Sequence, residues 1–127
     1  MAIELNHTIV HAIDPAVSAT FLSEILGLSP PTRLYHFWVV KTANGVSLDF
    51  IEAIPGFDIQ HLAFLVSEPE FDEIFSRIKQ RELPYWSDPS AKHPGNINRN
   101  DGGRGVYFRD PGGHYLEIIT RPYGSED

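Results

Sequence analysis

Two short stretches of the chain share one pattern of apolar and polar positions, each opening with an apolar residue, an amide and a histidine. They are Leu5-Asn6-His7-Thr8-Ile9-Val10 and Ile59-Gln60-His61-Leu62-Ala63-Phe64, at an offset of 54 residues. The match marks an internal repeat, and each segment is read as the opening strand of its half. Asp14-Pro15 follows the first and Glu68-Pro69 the second, at the same offset. An acidic N-cap followed by a first-turn proline predicts a helix start at both places. Val17, Phe21, Ile25 and Leu28 then keep helical spacing, as do Phe71, Ile74, Phe75 and Ile78. Gly27 is the expected stop of the first helix. Strands are expected at 34–42 and 46–53 in the first half and at 105–109 and 114–120 in the second. Their connections, Ala43-Asn44-Gly45 and Asp110-Pro111-Gly112-Gly113, are strong turn signals.

The final strands also align, with Asp49 under Glu117, but the offset has grown to 68 residues. The second half therefore carries fourteen more residues than the first, and they fall in the polar stretch 87–103, which has three Gly and three Asn. A loop that long in a compact domain is more often functional than idle. Each half reads as strand, helix, then further strands, with the Pro55-Gly56-Phe57-Asp58 segment as joint. The expected organisation is one α+β domain over 1–127, with module one at 1–54, module two at 59–122 and a short tail at 123–127.

Composition narrows the chemistry. The chain has 127 residues, 42% of them hydrophobic, which is enough for a sizeable single core. A net charge of −7, with no Lys/Arg-rich stretch, disfavours nucleic acid and an anionic membrane surface as partners. Having no cysteine excludes disulfides, thiolate metal sites and a Cys nucleophile, and leaves His and carboxylates as the strong metal donors. With no signal-peptide pattern and no long apolar run, a cytoplasmic location is expected.

Residues two apart on a strand share a face. One face carries Leu62, Phe64 and Val66, with Leu48, Phe50, Val106, Phe108, Leu116 and Ile118, and is where the helices are expected to pack. Each large side chain fully buried there is worth about 1.5–3 kcal/mol. The opposite face carries His7, Ser47, Asp49, His61, Ala63, Tyr107, Tyr115 and Glu117, too many ionisable groups for a second core. Buried unpaired, they would cost several kcal/mol; a divalent cation coordinating them removes that cost. Imidazole with carboxylate suits Fe(II), Mn, Zn, Ni or Co, and two His with one carboxylate leave positions open for substrate.

At these residues the chain resembles the glyoxalase, bleomycin-resistance and extradiol-dioxygenase superfamily, the vicinal-oxygen-chelate proteins. The resemblance rests on Leu5-Asn6-His7 before Asp14-Pro15, on Gln60-His61-Leu62-Ala63-Phe64, and on the run from Gly105 through Asp110-Pro111-Gly112-Gly113-His114 to Glu117. It implies two βαβββ modules whose mixed sheet curves into a cup around a divalent metal, with the helices on the outer face, and a homodimer. It maps His7, His61 and Glu117 to metal ligands and Asp49 to a fourth. Tyr107 and Glu117 are then the catalytic candidates, and Tyr107, Tyr115 and Arg99 the substrate contacts.

Fosfomycin-resistance thiol transferases are similar at the three ligands, at Tyr107 and at Arg99. They depart where their catalytic Thr is Ile9 here and where a substrate-binding Arg is Glu126, which argues against their activity. Two functions follow from the resemblance. One is a metal-dependent enzyme acting on a small oxygenated or electrophilic substrate. The other is a sequestering protein of the bleomycin-binding kind, with Phe37, Trp38, Trp86, Tyr107 and Tyr115 as stacking surfaces. Outside the polar face, His11 and His36 are expected to be structural or at the surface. His93, Asn98, Arg99 and Arg104 offer loop contacts to substrate, His114 is discounted, and Glu68, Glu70, Asp72 and Glu73 are a solvated helix start that suits the helix dipole.

Overall fold

The computed structural model describes residues 3–125, so Glu126 lies outside the described residues. The chain forms two compact units, Met1–Asp58 and Ile59–Asp127. Each is a βαβββ module. The first comprises β1 (His7–Ala12), α1 (Pro15–Leu26), β2 (Thr32–Leu34), β3 (Phe37–Lys41) and β4 (Ser47–Glu52). The second comprises β5 (His61–Leu65), α2 (Glu68–Gln80), β6 (Tyr85–Trp86), β7 (Gly105–Arg109) and β8 (Tyr115–Ile119). The sheets are mixed and run β1-β4-β3-β2 and β5-β8-β7-β6. The repeat is preserved in register: β1 lies parallel to β4 with Ile9 opposite Asp49, and β5 parallel to β8 with Ala63 opposite Glu117. Among the described residues no helix is long and apolar enough to cross a membrane.

In the first unit, Asp14 caps α1 by accepting the Val17 N–H at 3.2 Å. Gly27 ends the helix in the left-handed region (φ 73°), where the Leu28 N–H reaches the Ser23 carbonyl at 2.8 Å. The expected face is met in part: Ile25 is buried and Phe21 and Leu28 are half-buried, but Val17 is exposed, and the residues that α1 buries are Ser18, Ala19, Leu22, Ser23 and Ile25. Three of these five are small, which lets α1 lie close against β1, β3 and β4. The strand expected at 34–42 is in fact two: Tyr35 and His36 form a tight turn between β2 and β3, with Tyr35 at φ 53°. Nothing in the composition of that turn announces it, since no Gly, Asn or Asp is present.

In the second unit the cap is one residue earlier than the acid-proline signal suggests. Ser67 is the N-cap and Glu70 closes a capping box, while Glu68 is the first helical residue. α2 buries Phe71, Ile74 and Ile78, and the core face of its sheet, Val106, Phe108, Leu116 and Ile118, is at most 1% exposed. The expected solvated acidic run is partly engaged: Glu68 and Asp72 grip Arg104 at 2.7 and 2.8 Å, and the guanidinium lies 4.3 Å over the Phe71 ring. Arg104, the residue before β7, is thus tied to α2. β6 is an addition to the expected strands.

The 87–103 segment has its own order. Asp88 accepts the N–H groups of Lys92 and His93, both at 2.9 Å, and those bonds hold its carboxyl below the usual range. Asn98 donates to the Ser87 carbonyl at 3.0 Å, and its backbone exchanges two hydrogen bonds with Gly105. A Cβ on Gly105 would sit 2.9 Å from the Asn98 amide, which these bonds fix in place. We expect Gly105→Ala to cost about 1–3 kcal/mol by overpacking, measured by urea denaturation; a loss within error of zero contradicts this view of the loop base.

Candidate functional site

Glu117 sits in the middle of β8 with Tyr107 opposite it on β7 and Ala63 opposite it on β5. Strand alternation turns its neighbours Leu116 and Ile118 into the core and leaves Glu117 on the other face, as the pattern predicts. It is nevertheless only 1% exposed. A carboxylate in that position requires a partner for each oxygen, and both are filled. Oε1 faces His61 Nε2 at 2.8 Å, and Oε2 accepts the hydroxyl of Tyr123. Tyr107 lies beside this pair, its hydroxyl 3.3 Å from that of Tyr123 and its ring 5.6 Å from the His61 imidazole.

Burial, more than any other cause, raises the Tyr107 hydroxyl above its ordinary value. Tyr123 is pushed up by burial and then by its bonds to Glu117 and Tyr107. Each phenol beside a carboxylate is therefore held in its protonated, donating form. Tyr123 is absent from the expected site, because it lies beyond the last strand where no periodicity applies. The tail is folded back by three bonds: Gly124 N–H to Asp101 Oδ2 at 3.2 Å, Arg121 to the Ser125 carbonyl at 2.7 Å, and Ser125 N–H to the Pro122 carbonyl at 3.2 Å.

The remaining candidates have separate settings. In the first unit His7 is exposed, with Nδ1 2.7 Å from Asn6 Oδ1. Asp49 is half-buried and accepts the Ser47 hydroxyl at 2.9 Å. Both line a cleft of about 520 Å³ on the open face of that sheet, together with Phe37, Val39, Lys41 and Ser47. Trp38 stands opposite Phe50, on the core-facing side, and is covered by Arg33. In the second unit Tyr115 accepts a 2.6 Å bond from Arg109, whose guanidinium lies over the Tyr115 and Trp86 rings. Arg99 is exposed at the start of a short 3-10 turn. His11 is exposed near the Phe57 ring, and His36 is exposed in the β2–β3 turn.

His114, discounted in the sequence, is fully buried. Its Nδ1 accepts the Gln60 N–H at 2.9 Å and its own N–H binds Asp110 at 2.8 Å, so it fastens the residue before His61 to the start of β8. Of the four expected ligands, the structure joins His61 and Glu117 directly. Among the described residues no three His, Asp or Glu side chains form a group able to hold a metal ion.

The His61–Glu117 pair has the chemistry of a chelate. A proton shared between Nε2 and Oε1 and a divalent cation bound to both are alternative ways of satisfying the same two lone pairs. The donor set fits imidazole–carboxylate coordination.

Residues 4–118 match the family described as Glyoxalase/Bleomycin resistance protein/Dioxygenase superfamily. The chain is similar to the solved structure of Oxidase ChaP-H1, with 58% identity, a TM-score of 0.94, and coverage of 97% of this chain and 99% of that one. It is 31% identical to Glutathione transferase FosA of Serratia marcescens over 90% of this chain and 78% of the relative. It is 28% identical to Metallothiol transferase FosB of Lysinibacillus sphaericus over 91% and 81%.

The raised tyrosines carry a pH signature. Below about pH 10 the phenols are protonated in folded and unfolded chains alike. Above it the unfolded chain ionises first, so stability falls as pH rises from there toward the elevated folded values. Melting temperature against pH should decline above about pH 10, and less steeply in Tyr107→Phe. Equal slopes would show that Tyr107 does not ionise late.

Proposed function

The chain belongs to the glyoxalase/bleomycin-resistance/dioxygenase superfamily, and from that membership we propose that it is a metal-dependent oxidase acting on a small oxygenated organic substrate with dioxygen as electron acceptor. The observation that carries this reading is the 58% identity to Oxidase ChaP-H1 across nearly the whole of both chains. His61 and Glu117 are the proposed core of the metal site. His7, which stands in β1 where His61 stands in β5, is the proposed third donor, and Asp49 a further one. A two-His, one-carboxylate set with open positions favours iron among Fe, Mn, Zn, Ni and Co, and the bound metal supplies Lewis acidity and redox capacity.

The protein's own groups have distinct proposed roles. Glu117 is held ready by burial, and His61, itself exposed, by its bond to Glu117 and the His114 tie at Gln60. Tyr107, kept protonated beside them, can donate a hydrogen bond or a proton to a substrate oxygen. Tyr115 is fixed by Arg109 as a wall for substrate. Arg99, exposed at the loop, is a proposed contact for an anionic group. The cleft on the first sheet, with Phe37 and Val39 beside Lys41, offers apolar surface next to a cation. The proposed active form is a homodimer in the cytoplasm.

Thiol transfer is the second reading, favoured by the similarity to FosA. It is weakened at Ile9, which is 43% exposed on the same parity as His7 and has no hydroxyl to offer an epoxide.

Protein purified without chelator should contain close to stoichiometric metal by elemental analysis. Loaded with iron(II), it should consume oxygen with a panel of small phenolic and hydroxy-ketone substrates. His61→Ala and Glu117→Ala should each weaken metal affinity by roughly 100-fold or more. Wild-type affinity in both variants sinks the metal reading; metal binding with thiol addition to an epoxide and no oxygen uptake would favour the second.

A further inference from the structure

A carboxylate presents two oxygens to a metal, and whether one or both bind changes how many positions are left for substrate. In this chain the two oxygens of Glu117 are treated differently. Oε1 faces His61 Nε2 at 2.8 Å, while Oε2 is taken by the hydroxyl of Tyr123. Tyr123 is supported from behind. Its hydroxyl touches that of Tyr107, which is 5% exposed on β7. The next residue, Gly124, hangs its N–H on Asp101, in the loop that distinguishes the second half from the first. Tyr123 is itself 47% exposed, so burial of its ring alone does not account for its position.

We propose that Tyr123 is a positioning residue that reserves Glu117 Oε2, so that Glu117 binds metal through Oε1 alone and one further coordination position stays open. The metal part of this proposal rests on the reading of the preceding section; the Tyr123–Glu117 contact does not. The reasoning is geometric. Tyr123 approaches from the tail and His61 from β5, so the two lone-pair sets of one buried carboxylate are divided between two elements. Removing the Tyr123 hydroxyl takes away the donor on Oε2, which must then turn either to the neighbouring Tyr107 hydroxyl or onto the cation. Outer-shell hydrogen bonds of this kind orient ligating groups.

The test uses the full chain and cobalt(II) as probe, since cobalt absorption in the visible loses intensity as coordination number rises. Tyr123→Phe is expected to stay folded, bind cobalt, and show a weaker visible band than wild type as Oε2 joins the metal. A tyrosine that only packs the tail would leave that band unchanged, and superimposable spectra overturn the proposal. A second measurement needs no metal. In the chelated protein Tyr123→Phe should lower the melting temperature by about 2–6 °C, the order expected for one buried hydrogen bond. On a Glu117→Ala background the same change should lower it by less than half as much. Additive shifts overturn the contact itself. If wild-type protein takes up no cobalt, the metal reading fails, and the double-mutant comparison alone decides whether Tyr123 holds Glu117.

Discussion

A carboxylate that is 1% exposed in the middle of a strand is the constraint on which the second unit depends. Glu117 cannot be solvated there, so its oxygens dictate what surrounds them. His61 must face it from β5, which needs the parallel β5–β8 register, and that register is tied at one end by His114 holding the Gln60 N–H. Tyr123 must reach the other oxygen, which requires the tail to turn back after β8. The same residues that satisfy the carboxylate are therefore those that give the face its chemistry. One set of bonds both satisfies the buried carboxylate and fixes the side chains of that face.

Strand alternation made much of this legible in the sequence. Period two places Glu117 opposite in sense to Leu116 and Ile118, and the histidine repeat puts His61 on the same side; the register in the structure follows that parity. The paired modules, both central turns and Gly27 as helix stop were legible because each has a strong local cause. Other features were not. The phase of α1 was misread at Val17 because small Ser and Ala residues, which carry little hydrophobic signal, are the ones that let the helix lie close to its sheet. β6 is only Tyr85–Trp86, too short for any periodicity. Tyr123 escaped because its role depends on a backbone reversal fixed by Asp101, more than twenty residues earlier.

The two halves also show what a repeat does and does not carry over. Asp49 and Glu117 occupy equivalent places, opposite Ile9 and Ala63 respectively. Asp49 is half-buried and accepts a hydroxyl from Ser47 on its own strand, whereas Glu117 is fully buried and bridged between two elements. Backbone position was inherited; surroundings were not. The difference includes the Tyr123 hydroxyl, which reaches Glu117 from the tail.

The placing of that hydroxyl involves the fourteen residues by which the second half is longer. The inserted loop is anchored by Asp88 and Asn98, and at its base Arg104 binds Glu68 and Asp72 of α2. Near its end Asp101 offers an oxygen to the Gly124 N–H, next to the tyrosine that completes the Glu117 environment. A loop of that length carries a closure cost that grows only slowly with each added residue, and here its ordering places a hydroxyl on a buried carboxylate. The extra length thus has a physical consequence that the first half, with Asp49 in a more open setting, does without. The two halves share one strand register, and the longer connection of the second is what reaches the residue beside the tyrosine on Glu117.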